Sequence, residues 1–304
     1  MSIYTQIDSN KRKTNLLLFG FFGFTVALVS TLLYLAEALP LVEAIVVSAV
    51  GSALYCLISY YASGSAVLMT QGAKEVDKNT AFELVSMVES LAIGAGVPMP
   101  KVFVINDPAP NAFATGRDPK HAAVAVTTGL LSMLNRDELK GVLAHEVSHI
   151  KNFDIRVMTI VVVLVGLIVL VSDVALRVGL FGGNNRDNKD GRLVIFFIVF
   201  ALISAVLAPL IGNLIRFAVS RTREYLADTS GAHLTLQPQH LASALAKIGS
   251  YSAPMKRANH ATAHLFISNP FGKAKRTSFM NRLFSTHPPI EDRIAKLNTI
   301  YGDR

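Results

Sequence analysis

A five-residue string, His145-Glu146-Val147-Ser148-His149, contains the side chains of a hydrolytic metal site. Residues four apart lie on one face of an α-helix, so a helix here would point both imidazoles at the same ion. The carboxylate of Glu146 would lie on the same turn, within reach of a water molecule held by that ion. Two neutral nitrogen ligands beside a carboxylate are the groups that zinc-assisted peptide hydrolysis requires.

The string alone does not establish such a site. A pattern with three fixed letters arises by chance in about one average-length chain in a hundred. A surface helix could equally carry two histidines and a glutamate as solvated residues. Catalytic zinc sites usually take three protein ligands and leave one position for water. The rest of the chain must therefore supply a third ligand and the elements that hold it in place.

A carboxylate pair later in the chain is the candidate for the missing ligand. Glu224 and Asp228 are four apart and would share one helical face, although an isolated pair of this kind is more often solvated. Two apolar blocks of similar length separate His149 from Glu224, and an antiparallel hairpin of two such helices would bring Glu224 back beside His149. Asp228 would then accept the free N–H of a ligating histidine. Arg221 and Arg223 would pair with these acids or lie at a membrane surface as flanking cations.

The composition indicates a membrane protein with one polar domain. Hydrophobic residues make up 51% of the 304 residues and charged residues only 16%, against about a quarter in soluble domains. The excess lies in four blocks, each long enough to cross about 30 Å of hydrocarbon as a helix. The first block is too long for the apolar region of a signal peptide. The third and fourth blocks could instead form a buried hairpin that does not cross. The blocks cover residues 16–39, 41–62, 157–176 and 193–217.

The predicted fold class is α+β and mostly helical, with four hydrophobic helices and a protease domain that contains a small β-sheet. Alternating apolar residues predict short strands, and Asn135 with Glu138 predicts the start of a helix that carries the histidine string. The strands are expected at Lys101–Ile105, Asn111–Thr115 and Ala122–Val126, and helices at Thr80–Gly96, Arg136–Asn152 and Ile290–Ile300.

Four consecutive regions follow from these elements. The first contains the N-terminal tail and two transmembrane helices, and the second is the first part of the zinc protease domain with the histidine string. The third contains two further hydrophobic helices, and the last is the second part of the protease domain with the third ligand. Their bounds are 1–62, 63–156, 157–217 and 218–304.

The charge distribution predicts the partners and the orientation. The net charge is +8, but no basic stripe with interleaved aromatic residues appears, so a lipid bilayer is expected and nucleic acid is not. Basic residues at 11–13 precede the first block and none lies between the first two, which places the N-terminus and the active site in the cytoplasm of a multi-pass protein. Basic residues in the loop 177–192 weaken this orientation. The single cysteine, Cys56, cannot form a multi-cysteine zinc site, so histidine and carboxylate must hold any metal.

Taken together, these motifs resemble the HtpX-type integral membrane zinc metalloproteases of the CaaX-prenyl-protease-like gluzincin family. The similarity covers the histidine string, the segment Ser220–Asp228 after the hydrophobic hairpin, Asn10–Thr14 before the first block, Asn111–Gly116 and Ser285–Pro288. It implies a gluzincin-like endopeptidase of the cytoplasmic membrane that hydrolyses misfolded or damaged membrane proteins in quality control and the stress response. It also implies one Zn²⁺ per chain, held by His145, His149 and Glu224, with Glu146 as the general base.

Two weaker features follow from the same resemblance. The segment Asn111-Ala112-Phe113 is similar to the family's edge strand beside the cleft, which would bind an extended substrate by strand addition, or it is an ordinary edge strand. His287 is similar to a histidine near the family's active site and would donate to the oxyanion, although a lone histidine is more often structural. His260 and His264 are four apart, but no partner carboxylate follows, so an exposed loop is expected there.

Two functions from other classes compete with a protease. A transporter or channel would place polar groups inside its spans, whereas Asp173 and Arg216 lie near the ends of theirs. A membrane scaffold without chemistry would not need the complete ligand set. A cytoplasmic protease with exposed loops would also be able to cleave itself.

Overall fold

The computed structural model describes residues 3–35, 39–162, 164, 221–259, 261–272 and 288–300. Over these residues the chain is mostly helical with one small mixed sheet, as predicted. The third and fourth hydrophobic blocks lie almost wholly outside the described residues, and His287 and His260 lie outside them altogether. The expectations for those positions therefore stay predictions.

The first two apolar blocks form two long helices, α1 (Ile3–Leu35) and α2 (Leu41–Gln71), which pack against each other. In the described part of the chain, two helical segments are long and apolar enough to cross a membrane, Asp8–Thr31 and Leu41–Gln71. Phe19 is 75% exposed on this pair, which suits hydrocarbon rather than water. Both helices extend beyond the predicted blocks, because the polar residues that flank the apolar runs continue the same helices.

Four short strands form the sheet: β1 (Lys74–Val76), β2 (Lys101–Ile105), β3 (Ala112–Gly116) and β4 (Ala122–Thr127). The order is β1-β2-β4-β3, with β2 parallel to β4 and both outer pairs antiparallel. Strand β3 is thus an edge strand, as the sequence suggested. Strand β1 was not predicted, because three largely exposed residues give no alternation of apolar and polar side chains.

Helices cover one face of the sheet, and one of these helices carries the histidine string. After β1, α3 (Phe82–Ala95) packs on α5 (Arg136–Lys151), and the short α4 (Thr128–Met133) joins β4 to α5. Side chains from β4, α3 and α5 form one core, in which Val88, Val124 and Leu143 are fully buried. Strand residues with the opposite orientation, such as Phe113 and Ala125, enter a second core with the end of α2. A helical segment at residues 154–162 also enters that second core.

The chain after residue 220 returns to the motif helix α5. It forms α6 (Arg221–Thr235), α7 (Pro238–Ser250) and α8 (Ile290–Thr299), and both α6 and α7 pack directly on α5. The approach of α6 is close at Gly231, where a Cβ atom would lie 2.9 Å from the backbone nitrogen of His145. Glycine at this position lets the two helices lie near enough for their side chains to share one ion.

Candidate metal centre

The motif helix α5 is fixed at its first turn. The side chain of Asn135 accepts a hydrogen bond from the Glu138 backbone N–H, and the Glu138 carboxylate accepts one from the Asn135 N–H, both at 2.9 Å. Ser243 Oγ and Lys247 Nζ of α7 also donate to the Glu138 carboxylate, each at 2.7 Å. Burial opposes the charge of Glu138, but these two contacts lower its pKa. The capping carboxylate therefore ties the start of α5 to α7.

Three candidate ligands converge at the middle of α5. His145, His149 and Glu224 are 1%, 4% and 0% exposed. The two Nε2 atoms lie 3.1 Å apart, and the Glu224 carboxylate oxygens lie 3.8 Å from His145 Nε2 and 3.7 Å from His149 Nε2. Ligand atoms of a tetrahedral zinc ion are about 3.3 Å apart, as follows from bond lengths of about 2.0 to 2.2 Å. One ligand atom from each of the three residues lies within 4.8 Å of the other two, so the set could hold a single metal ion.

Each histidine is oriented by a carboxylate behind it. His145 Nδ1–H donates to Asp228 Oδ1 at 2.9 Å, the contact that the sequence predicted for Asp228. His149 Nδ1–H donates to Asp154 Oδ2 at 3.0 Å, a partner that the sequence analysis did not identify. With Nδ1 of each ring held by a carboxylate, the two Nε2 atoms face the common centre.

Two buried arginines hold those carboxylates. Arg293 of α8 contacts Asp228 through two nitrogens, Nε at 2.8 Å and a terminal nitrogen at 2.7 Å. Arg223 Nε lies 2.7 Å from Asp154 Oδ1, and a terminal nitrogen of Arg223 donates to Asn10 Oδ1 at 2.9 Å. Asn10 in turn donates to Asp154 at 2.8 Å. The first membrane helix thus contributes directly to the support of the centre.

The two histidines have opposite preferences for a proton. Burial lowers the pKa of His145 to about 4, so this ring stays neutral. Burial alone would also lower the pKa of His149, but the hydrogen bond to Asp154 and the charge of Glu224 raise it to about 9. A cation between the rings must therefore compete with a proton on His149.

Glu146 lies beside the ligands and has the properties of a general base. It is 1% exposed, and burial, together with the charge of Glu224, raises its pKa to about 7. The charge of His149 and a hydrogen bond from the Ala114 backbone N–H act in the opposite direction. A carboxyl group with a pKa near neutrality can take up and release a proton at physiological pH.

The predicted edge-strand residues lie close to Glu146 but are not open to solvent. Asn111, Ala112 and Phe113 are 2%, 1% and 0% exposed. The strand begins at Ala112, one residue later than predicted. The Phe113 ring packs edge-on against Phe266, with 5.0 Å between centroids.

Among the described residues, no histidine other than His145 and His149 belongs to the candidate ligand set. The expectation of an exposed His264 was wrong, because this residue is 1% exposed and its Nε2 lies 3.0 Å from the Met158 carbonyl oxygen. The segment around His264 is rich in turn-forming residues, and this composition did not reveal that the segment packs into the second core. His121 and His233 are exposed.

The sequence analysis missed Asp154, Arg293 and Asn10. For Arg223 it left open a pairing with Glu224 or Asp228 and a place at the membrane surface, and it did not identify the contact with Asp154. Asp154 lies five residues after His149, so a search for acids just beyond the end of the motif helix would have found it. No local signal links Arg293 or Asn10 to the centre, because only the tertiary fold brings them there.

The fold and the ligand geometry agree with the comparisons with known proteins. Residues 78–301 match peptidase family M48, and the chain belongs to this family of metallopeptidases. A protease HtpX homolog from Caldanaerobacter subterraneus subsp. tengcongensis is 49% identical over 261 residues, which cover 85% of this chain and 85% of the relative. A protease HtpX homolog from Lactobacillus acidophilus is 45% identical over 300 residues, or 97% of this chain and 99% of the relative. These matches confirm the resemblance inferred from the motifs.

A solved structure has a similar fold. The crystal structure of S. mikatae Ste24p matches with a TM-score of 0.51 and 19% identity, and the match covers 97% of this chain and 67% of that chain. At this identity the likeness concerns the fold alone.

Proposed function

We propose that this metallopeptidase is a zinc-dependent endopeptidase of the cytoplasmic membrane, with one Zn²⁺ per chain held by His145, His149 and Glu224. The observation that carries the proposal is the convergence of three buried ligand atoms within 4.8 Å of one another, although two apolar blocks separate them in sequence. Asp228 and Asp154 support the assignment to zinc, since carboxylates that orient ligating histidines are typical of such sites.

The chemistry assigned to the chain's own residues is general acid–base catalysis. A bound zinc ion supplies a Lewis acid for the scissile carbonyl and for the attacking water. Glu146 accepts the proton of that water and passes it to the leaving amine, so no covalent intermediate with the protein forms. Its pKa of about 7 suits both directions of transfer. We assign the oxyanion contact to His287, on the basis of the motif alone.

The substrates and the location follow from the membrane helices. Helices α1 and α2 suit a multi-pass protein, and the basic residues 11–13 favour a cytoplasmic N-terminus and active site. Asn10 joins the active site to the first membrane helix, so the site lies near the membrane. This position suits misfolded or damaged membrane proteins as substrates, in quality control and the stress response. Cleavage of the protein's own exposed loops is a further expected activity.

The test uses protein purified in detergent, with measurement of zinc content and casein cleavage. Wild type should hold one zinc per chain and lose activity with chelator. Glu146→Gln should keep zinc and lose at least about a hundredfold in rate, as expected when a general base is removed. His149→Ala should lose zinc. Glu89→Gln, which changes a surface carboxylate paired with Lys78, is the matched control and should retain both properties. Full activity of Glu146→Gln would exclude the assigned base.

A further inference from the structure

A segment of the chain itself lies along the outer edge of β3. This segment, Thr262–Asn269, is called the strap below. The Ile267 N–H donates to the Ala112 carbonyl at 3.0 Å. The Asn111 side-chain amide donates to the Ser268 carbonyl at 2.9 Å and accepts from the Ser268 N–H at 3.2 Å. The contact of Ile267 with Ala112 joins two backbones, as an added β-strand would, and the Asn111 side chain holds the next residue of the strap.

The next outward N–H groups of β3 are taken up by other parts of the chain, the first of them by Glu146. The Ala114 N–H hydrogen-bonds to the Glu146 carboxylate, and the Gly116 N–H donates to Thr159 Oγ1 at 3.1 Å. The edge that the strap occupies is thus the edge that borders the general base. An extended polypeptide placed there would need the Ala112 carbonyl that Ile267 now engages.

The strap is anchored by apolar side chains. Leu265, Phe266 and Ile267 are 3%, 0% and 1% exposed, and Phe266 fills the space against Phe113. Burial of three large apolar side chains holds the strap closed by the same effect that stabilises a core.

The strap also reaches the metal centre. The Ile267 carbonyl accepts a hydrogen bond of 3.2 Å from Arg293, the guanidinium that holds Asp228 behind His145. With the strap in place, His145 and Glu146 are each 1% exposed.

We propose that the strap occupies the position of the substrate backbone on β3, and that a polypeptide substrate binds by displacing it. The inference rests on the proposed function of the same site. Only the molecules with a released strap would be able to bind substrate. The apparent substrate affinity is therefore the intrinsic affinity multiplied by the fraction of such molecules. Weakening the strap should therefore raise activity, whereas damage to an ordinary core element lowers it.

The first test compares Phe266→Ala with wild type on a short quenched fluorescent peptide, with zinc present. Loss of the Phe266 ring should raise kcat/KM on the order of tenfold, because the competent fraction increases. Leu91→Ala, which removes a side chain that is 2% exposed in α3, is the matched control and should not raise it. An unchanged or lower kcat/KM for a folded Phe266→Ala protein would overturn the proposal.

A second measurement does not depend on how that variant folds. Hydrogen exchange of the zinc-loaded Glu146→Gln protein is followed with and without saturating β-casein. Amides of the strap, above all Ile267, should exchange faster when casein is bound, while those of α3 should not change. Unchanged strap protection under saturating casein would refute the displacement. If wild type with zinc cleaves neither probe, the proposed function itself fails, and this outcome is distinct from an active enzyme whose strap stays in place.

Discussion

The ion pair between Arg293 and Asp228 allows a quantitative test of how the metal centre is supported. Arg293 is 0% exposed and Asp228 3% exposed, and two nitrogens of the guanidinium contact the carboxylate. Replacing one partner leaves the other as a buried charge without its counter-ion, which costs about 3 to 5 kcal/mol. Arg293→Met and Asp228→Asn should each destabilise the protein by this amount.

The double variant Arg293→Met/Asp228→Asn should cost no more than either single change, because it leaves no unpaired charge. The coupling free energy expected from the cycle is therefore about 3 kcal/mol or more. Thermal unfolding in detergent measures it, since 1 kcal/mol corresponds to about 2 to 4 °C for chains of roughly this size. Each single change should lower Tm by about 6 to 20 °C. Arg221→Met, at an exposed arginine of the same helix as Asp228, is the control and should change Tm little.

The same variants should separate stability from metal affinity. Asn at position 228 can still accept the hydrogen bond of His145, but without the carboxylate charge, so zinc affinity should fall about 10- to 100-fold. The double variant should regain stability without regaining this affinity. Losses of Tm that simply add in the double variant would refute the claim that the two groups act as one buried pair.

Two further predictions concern the proton and the helix contact. Because the pKa of His149 is raised to about 9, zinc must displace a proton from this ring at neutral pH. Zinc affinity should therefore rise about tenfold per pH unit up to about pH 9, as a competing chelator titrated from about pH 6 to 10 would measure. An affinity independent of pH would contradict this. Gly231→Ala would place a Cβ 2.9 Å from the His145 backbone nitrogen and should cost about 1 to 3 kcal/mol in thermal unfolding, whereas Gly23→Ala, which has open space around it, should not.

The elements that the sequence predicted well are those with a local signal. Strand β2 has the predicted bounds, and α5 ends one residue earlier than predicted, because its capping residues and its apolar spacing are both readable locally. Helix α1 begins far earlier than its apolar block, since polar residues such as Lys11 are also good helix formers. Strand β1 has no pattern of its own and forms only by pairing with β2.

The residues of the site also fall into those that have a local sequence signal and those that have none. The spacing of His145 and His149, and the similar lengths of the two apolar blocks before Glu224, predicted a ligand set from short-range geometry and chain length. The supporting residues could not be found in this way. Arg293 follows Asp228 by 65 positions, and Asn10 precedes Asp154 by 144, so only the packing of α8 and α1 brings them to the centre.

The charges of the buried site explain why a divalent cation suits it. Among the fully buried groups of the described residues, four carboxylates lie together there, those of Glu146, Glu224, Asp154 and Asp228, and the guanidiniums of Arg223 and Arg293 balance half of their charge. Two negative charges in a dry interior are costly unless they are neutralised. Protons neutralise them when His149 is charged and Glu146 is neutral, which is the direction of both pKa shifts. A divalent cation supplies the same two charges at once, so its binding returns His149 to a neutral ligand and Glu146 to an ionised base.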